Sequence, residues 1–395
     1  MEIARSIEPQ IEIDLHKKMV FLSGPRQCGK TTLAKKILEQ HTGHYYNWDK
    51  TSDKKLILKE QFSLDSKLWV FDETHKFRRW RNFLKGVFDE HHKNHSIFVT
   101  GSARLNLYGR GGDSLQGRYF PHHLHPFTLS EISKVEFYGL DTCFHLPHQV
   151  KKETQANLLH LYQFSGFPEP FFSGNITEAK RWKLAYGERL IEEDLRSLEN
   201  VREIDRLELL LDRLDDIAGS VVSINSLRED LDVSFDSVKN WLTIFEKIFA
   251  CFRISPYAPP KIKAVKKEQK LYLWDSTRPT EEGARFENFI ALHLMRLIDW
   301  GRDVLGEKLE LRYFRHREGA EVDFILLRNR VPWVAIEVKI QEQEISPSLK
   351  YFVERVKTPF AFQVFLKGGK EKTLARVGKT NIQSISAERF LLQLP

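Results

Sequence analysis

The stretch that decides the fold of the N-terminal part is Met19-Val-Phe-Leu-Ser-Gly-Pro-Arg-Gln-Cys-Gly-Lys-Thr-Thr32. Its first five residues form a short apolar run that predicts a buried strand, and apolar residues at helical spacing after Thr32 predict a helix. A glycine loop between a strand and a helix is the context in which the pattern G-x-x-x-x-G-K-T binds phosphate. The sequence therefore predicts a phosphate-binding loop made by Gly24, Pro25, Arg26, Gln27, Cys28, Gly29, Lys30, Thr31 and Thr32.

The residue types in this loop match the chemistry of nucleotide binding. Gly24 and Gly29 allow backbone conformations in which N–H groups point at phosphate oxygens. The Lys30 ammonium can reach the β- and γ-phosphates, and the Thr31 hydroxyl can ligate Mg²⁺. We therefore expect ATP and Mg²⁺ as the cofactors, with Lys30 among the catalytic residues.

A second apolar run, from Leu68 to Phe71, ends in the acids Asp72 and Glu73. A continuous apolar run is typical of a strand buried on both faces, and ligands bind at the carboxyl ends of such strands. We expect Asp72 to hold Mg²⁺ and Glu73 to act as general base on the attacking water. An acid pair after a strand is also a common helix N-cap. The spacing from the phosphate loop, across one more strand and helix, favours the catalytic interpretation, which makes the chain an ATP hydrolase.

Two further groups are candidates for sensing the γ-phosphate. The run from Ser96 to Ser102 predicts another buried strand, so that Thr100 or Ser102 would lie beside the phosphate. The segment 103–118 is rich in Gly and Arg and predicts a loop. Arg118, or less favourably Arg104, is expected to act on the γ-phosphate in its own subunit or across an interface. The second arrangement would require a homo-oligomer.

Composition restricts the class of protein. A chain of 395 residues suggests two or three domains. No apolar run approaches the roughly 20 residues that a membrane helix needs, and the N-terminus lacks a signal-peptide core. With three cysteines, a disulfide framework is not expected. These features predict a cytoplasmic protein without a membrane partner.

The C-terminal third contains a second group of chemically suggestive residues. Glu287 lies on a predicted helix, Asp323 on one strand, and Glu337 and Lys339 on the next strand. This is the residue order of the PD-(D/E)xK nuclease fold, in which carboxylates hold Mg²⁺ and the lysine activates water. Because side chains alternate along a strand, Glu337 and Lys339 share a face. The alternative is a nuclease-like fold used for packing, with these acids and the lysine paired as ions.

Charge adds a hypothesis about partners. From Lys261 onward the chain has 25 Lys and Arg against 18 Asp and Glu, so this third carries the whole net charge of +7. A basic surface favours nucleic acid as a partner, and a merely basic domain is the alternative. Five arginines flank the two motif strands: Arg312, Arg315, Arg317, Arg328 and Arg330.

Between the two candidate sites the sequence predicts helices. Residues 206–258 contain a helix, a short turn, a second helix and an apolar strand, which resembles a winged helix-turn-helix. Ser226-x-x-Glu229 has the pattern of a capping box at the start of one of these helices.

Several motifs in order resemble the AAA-type ATPases that carry a C-terminal DUF4143 domain. Besides the phosphate loop they are Val70-Phe-Asp-Glu73, Thr100-Gly-Ser-Ala103, Leu115-Gln-Gly-Arg118, Pro126-Phe-Thr-Leu-Ser-Glu131 and Phe164-Ser-Gly-Phe-Pro-Glu-Pro170. The resemblance implies an AAA+-like ATP-binding core with a helical lid, and it supplies no defined biological role.

The expected architecture is therefore α/β with four parts. Residues 1–135 would form the P-loop ATPase core, 150–205 the helical lid, 206–258 the winged-helix-like domain, and 261–395 the PD-(D/E)xK-type domain. Three functions are open: an ATPase whose cycle moves the C-terminal domains, an ATP-gated nuclease, and a slow nucleotide-dependent assembly switch without nucleic acid.

Overall fold

The computed structural model describes residues 3–101, 115–145, 150–195, 203–258 and 267–395. Its contacts divide the chain into two compact units. The first is built around Met1–Pro126, and the second around Phe127–Gly187, Arg202–Glu246 and Ala250–Pro395. Within the described ranges, none of the helices has the length and the hydropathy needed to cross a bilayer.

The first unit is an α/β fold around a five-stranded parallel sheet with the strand order β2-β3-β4-β1-β5. Its strands are β1 (Met19–Ser23), β2 (Gly43–Asn47), β3 (Leu68–Asp72), β4 (Ser96–Gly101) and β5 (Tyr119–His123). Its helices are α1 (Glu8–Leu15), α2 (Lys30–Glu39), α3 (Thr51–Leu58) and α4 (Trp80–His91), with a 3₁₀ turn at Thr74–Lys76. The predicted strand–loop–helix at the phosphate loop is confirmed as β1, the loop and α2.

Burial explains why the central strands read as apolar runs. Every residue of β1 and β3 is buried, because helices cover both faces of the sheet. The strand order places β4 between β1 and β3, with Leu22 opposite Thr100 and Thr100 opposite Asp72. The carboxyl ends of these three strands therefore meet at one edge, beside the phosphate loop.

The second unit begins with a helical region. Its helices are α5 (Leu129–Ser133), α6 (Lys152–Phe164), α7 (Pro168–Ser173), α8 (Ile176–Arg189), α9 (Ile204–Ile217), α10 (Ile224–Leu231) and α11 (Phe235–Lys247). A π-helical segment, Leu190–Leu195, follows α8 and belongs to the first unit. Helix α5 has a full capping box between Thr128 and Glu131. The predicted cap at Ser226 is wrong: α10 begins one turn earlier, where the Ser223 side chain accepts from the Ser226 N–H.

A mixed eight-stranded sheet follows, in the order β12-β13-β11-β10-β9-β8-β6-β7. The strands are β6 (Cys251–Pro256), β7 (Lys270–Leu273), β8 (Leu309–Arg315), β9 (Glu321–Arg328), β10 (Val331–Gln341), β11 (Phe360–Lys367), β12 (Lys372–Val377) and β13 (Thr380–Ser386). The helices of this region are α12 (Glu282–Asp303), α13 (Pro347–Arg355) and α14 (Ala387–Leu391). Strand β6, which the sequence grouped with the winged helix, pairs here with β7 and β8.

Candidate functional site

The phosphate loop has the backbone geometry that its glycines predict. Gly29 has φ of 102°, in the region that favours glycine, and Gln27 has φ of 59°. A Cβ on Gly24 would lie 2.2 Å from the Leu124 carbonyl oxygen, so this position accepts no side chain without movement of the backbone. The loop conformation therefore depends on glycine at both positions, for different reasons.

Groups outside the motif hold this loop in place. The Arg5 guanidinium donates through Nη1 to the Cys28 carbonyl at 3.0 Å and through Nη2 to the His125 carbonyl. The Cys28 thiol donates to the Leu124 carbonyl at 3.4 Å. The chain after β5 and a buried arginine near the N-terminus thus fix the loop before any ligand binds.

Lys30 is buried at the start of α2, and its ammonium caps the loop. Nζ donates to the carbonyl of Gly24 at 2.9 Å and to that of Pro25 at 2.6 Å. These neutral acceptors are weaker partners for an ammonium than phosphate oxygens are. A nucleotide bound in the loop would therefore offer Lys30 better partners.

Three hydroxyls converge on the carboxylate of Asp72. Thr31 Oγ1 donates to Oδ2 at 3.2 Å, and the hydroxyls of Tyr45 and Thr100 donate to Oδ2 and Oδ1. Burial, and then the charge of Asp72, raise the pKa of Tyr45, so Tyr45 stays a neutral donor. The adjacent oxygens of Thr31 and Asp72 are the hard ligands that Mg²⁺ prefers, so this pair fits a magnesium ion.

Glu73 lies directly after β3 in an unusual conformation. Its φ of 56° and ψ of 18° are left-handed, a state that costs a non-glycine residue about 1–3 kcal/mol. Its N–H donates to the Thr100 carbonyl at 3.0 Å. Burial raises the pKa of the Glu73 carboxyl, whereas the positive charge of Lys76, 3.5 Å away, lowers it. The result is a carboxyl that takes up a proton more readily than an ordinary glutamate.

The structure does not bring Arg118 to this site. Its carbonyl accepts from the N–H of Met19, the first residue of β1, whereas the loop follows the last residue of that strand. Four residue steps separate these ends by about 13 Å. The Arg118 guanidinium is bound to Asp89 at 2.6 Å and 3.1 Å. This geometry counts against a role within its own subunit, and a role across an interface stays a prediction. Ser102 and Arg104 lie outside the described residues.

In the second unit, two of the predicted acids, Glu287 and Asp323, lie beside a lysine that the sequence did not single out. The Lys270 ammonium, 3% exposed, lies 3.0 Å from Glu287, 2.5 Å from Glu321 and 3.8 Å from Asp323. The Tyr272 hydroxyl also donates to Glu287, at 2.7 Å. Burial raises the pKa of Asp323 well above its usual range, with the charges of Glu287 and Glu337 adding to the effect and Lys270 opposing it.

Glu337 and Lys339 are paired with each other. Lys339 Nζ lies 2.8 Å from Glu337 Oε1, as the shared face predicts, and Ser346 donates to the same oxygen at 3.2 Å. Asp323 accepts from the Val338 N–H at 2.8 Å. Among the described residues, no group of three or more His, Cys, Asp or Glu is arranged to hold a metal ion. An ammonium, not a metal-binding set of carboxylates, therefore occupies the centre of the predicted second site.

Several of the arginines proposed to line a nucleic-acid groove are engaged with carboxylates of their own domain. Arg312 pairs with Glu310 at 2.5 Å, and Arg328 lies 2.7 Å from Glu307 and 2.6 Å from Asp141. Arg315 Nε lies 3.6 Å from Glu321. These pairs reduce the positive charge that this surface would offer a polyanion.

Two signals could have found the missed residues. Lys270 and Tyr272 alternate on β7, so period 2 puts both on one face, which marks a charged residue inside an otherwise apolar run. Tyr45 precedes the buried Tyr46 on β2, and an aromatic pair in a predicted strand is the second signal. Neither signal identifies the carboxylate that each side chain meets.

Three stretches of the chain match known families. Residues 16–133 match the family described as an AAA domain, which implies nucleotide binding and suggests ATP hydrolysis. Residues 155–277 and 282–386 match two domains of unknown function, DUF8612 and DUF4143. The AAA and DUF4143 domains implied by the sequence resemblance are thereby confirmed.

Relatives that match most of the chain have low sequence identity to it. An uncharacterized protein of Methanocaldococcus jannaschii, MJ1637, is 25% identical over 90% of this chain and 82% of its own length. An uncharacterized protein of Mycobacterium tuberculosis, Rv2008c, is 22% identical over 82% of this chain and 71% of its own.

Similarity to solved structures is weak. Unliganded Pif1 from Bacteroides sp. is 13% identical with a TM-score of 0.22, and 44% of this chain covers 48% of it. A STAND ATPase with a tetratricopeptide repeat sensor, PH0952 from Pyrococcus horikoshii, is 16% identical with a TM-score of 0.24, and 75% of this chain covers 46% of it. Scores this low establish no shared fold.

Proposed function

We propose that the first unit is a Mg²⁺-dependent ATP hydrolase of the AAA+ type. One observation carries the proposal. Thr31, in the Lys-Thr-Thr segment that ends the phosphate loop, donates a hydrogen bond of 3.2 Å to Asp72 at the end of β3. P-loop hydrolases require two parts that contact each other: a phosphate-binding loop and an acidic residue at the end of a neighbouring strand.

Each residue has a defined task in this proposal. Loop N–H groups and the Lys30 ammonium bind the β- and γ-phosphates, and Thr31 and Asp72 would hold Mg²⁺, which neutralises phosphate charge when bound. Thr100, tied to Asp72, is positioned to sense the γ-phosphate. Glu73 takes the proton of the attacking water, and its buried carboxyl favours proton uptake at this step.

Lys30→Ala tests the binding half of this proposal. We expect Mg·ATP binding to be lost or strongly weakened in calorimetry, because no other ammonium among the described residues caps the loop. Lys55→Ala, an exposed lysine on α3, is the matched control and should bind normally. Equal affinity in the two variants would refute the phosphate-loop assignment.

The environment of Glu73 predicts a pH dependence. Because burial raises the pKa of Glu73, kcat/KM should begin to fall at a higher pH on acidification than it would with an ordinary glutamate as the base. Lys76→Met removes the main opposing charge and should move this fall to still higher pH. Asp49→Asn is the control, since it removes the other partner of Lys76, 2.6 Å away, and leaves the lysine charge beside Glu73. The protonation of ATP itself affects all three proteins equally and so cancels in the comparison. If the pH profiles of the parent chain, Lys76→Met and Asp49→Asn coincided, the role of Glu73 as the base would be contradicted.

For the second unit we propose a binding or assembly domain whose position changes with the ATP cycle. The Lys270 ammonium among Glu287, Glu321 and Asp323 supports the ion-paired alternative over metal-dependent cleavage. Nucleic acid as its partner is a separate proposal that rests on the basic composition of the C-terminal third. The ion pairs of Arg312 and Arg328 weaken it.

A further inference from the structure

A cavity of about 400 Å³ opens in the first unit at the opposite end of the sheet from the phosphate loop. Met19, the first residue of β1, and Ser96, the first of β4, form part of its wall. The Ser96 hydroxyl donates to the Leu15 carbonyl at 3.0 Å and ties the start of β4 to the end of α1. The cavity therefore shares no wall with the proposed ATP site.

The lining of this cavity, which we call the basic cavity, has one sign of charge. Four lysines line it, Lys17, Lys18, Lys67 and Lys93, and three of them are exposed to solvent. Among the residues that the structure describes, no Asp or Glu belongs to the lining. Lysines around one cavity repel one another, and an anion bound among them would relieve that repulsion.

Part of the lysine charge compensates the partial negative charge of nearby helix C-termini, and the two charges can be compared in size. Helices α1, α2 and α4 all end at the basic cavity, and each helix C-terminus carries about −0.5 of an elementary charge. Three helix ends offset roughly 1.5 of the four lysine charges. A surplus of about 2.5 positive charges remains, so helix-end compensation alone does not explain the lysines.

Three of the histidines in the wall, His41, His92 and His95, have defined partners. The His95 ring stacks on Trp69 with 4.1 Å between centroids, and its Nδ1 lies 2.6 Å from the Ser66 carbonyl. The His92 ring stacks on Phe88 at 4.5 Å. His41 is already paired with Glu12 at 2.8 Å and is left out of the charge comparison. Stacked rings beside exposed lysines combine a preformed wall with cations on flexible stems.

We propose that the basic cavity binds a compact ligand with two or more phosphate groups. Its volume lies within the range of about 300–1,000 Å³ that small-molecule sites occupy. Lysines suit this ligand because each ammonium is a point charge on a flexible stem that adapts to several phosphate oxygens. The site is independent of the proposed ATP hydrolysis.

Calorimetry of the full chain with inorganic triphosphate tests the proposal. The Lys30→Ala background, without Mg²⁺, keeps the probe out of the phosphate loop, and a second series uses the unaltered loop saturated with Mg·ADP. We expect the triple variant Lys17→Gln/Lys67→Gln/Lys93→Gln to bind triphosphate at least about tenfold more weakly. The matched control Lys54→Gln/Lys55→Gln/Lys59→Gln, on exposed positions in and after α3, loses the same charge and should bind normally.

Three results would overturn the proposal. Equal weakening by both triple variants would mean that only the overall charge matters. Displacement of triphosphate by sulfate at the same ionic strength would mean that the cavity only screens anions. Cavity-dependent binding of a single-stranded oligonucleotide without binding of triphosphate would replace the compact ligand by a nucleic acid. Thermal unfolding of each variant checks that the exposed substitutions leave the fold intact.

Discussion

Glu73→Gln is expected to bind Mg·ATP as tightly as the parent chain and to hydrolyse it at least about 10²-fold more slowly. The amide keeps the size and the hydrogen-bonding capacity of the side chain, but it cannot take a proton from water.

Asp72→Asn should behave differently and raise the Mg²⁺ concentration needed for activity, because Asp72 contacts Thr31 and is the proposed magnesium ligand. Calorimetry and steady-state phosphate release measure the two quantities separately.

Glu39→Gln, an exposed glutamate at the end of α2, is the control for Glu73→Gln and should hydrolyse ATP at the parental rate. Normal turnover in Glu73→Gln would place the general base elsewhere. Loss of nucleotide binding in the same variant would point to a structural role of the side chain, which lies 3.5 Å from Lys76 and 3.7 Å from His75.

Lys270→Met is expected to lower the free energy of unfolding of the second unit by about 3–5 kcal/mol. The ammonium is buried among Glu287, Glu321 and Asp323, so its removal leaves carboxylates that repel one another in a medium of low polarity. Denaturant unfolding followed by tryptophan fluorescence measures the loss. Lys367→Met removes a lysine that pairs with Glu282 on the surface and should cost less than about 1 kcal/mol. Equal losses in the two variants would show that Lys270 does not hold this cluster together.

The loss in Lys270→Met should depend on pH in a defined direction. Burial raises the pKa of Asp323 above its unfolded value, so the folded state binds this proton more tightly and stability falls as pH rises through that interval. Lys270 opposes the shift, and its removal should enlarge it. The deficit relative to the parent chain should therefore be largest near neutral pH and shrink on acidification.

A divalent cation distinguishes an ion-paired cluster from a latent metal site. In Lys270→Ala the three carboxylates keep their oxygens and lose their cation, and oxygen donors suit Mn²⁺. We expect Mn²⁺ to leave the melting temperature of the parent chain unchanged, because no three acids among the described residues are arranged to hold a metal. A rise in the parent chain would show that the metal enters beside Lys270, and the nuclease hypothesis would regain support. A rise in Lys270→Ala alone would show that the ammonium keeps the metal out.

The sequence by itself determined the phosphate loop and the acids that face it. Fourteen consecutive residues specify β1, the loop and the start of α2, because an apolar run, two glycines and a helical period are all local signals. The placement of Asp72 and Glu73 also followed from local pattern, since the carboxyl ends of parallel strands meet at one edge. The shared face of Glu337 and Lys339 followed from the two-residue period of β10.

Only the tertiary structure decided which groups meet across the chain. Arg118 was placed near the γ-phosphate by its motif, but it precedes β5, and β5 runs parallel to β1, so the arginine lies at the other end of the sheet. Lys270 reaches Asp323 from β7, a strand at the far edge of the sheet order, and no local period encodes that approach. The basic cavity likewise assembles lysines from three separate segments, which follow α1, precede β3 and follow α4. Periodicity fixes the face on which a residue lies, whereas strand order and packing fix its partner, and the free energy of those contacts exists only in the folded chain.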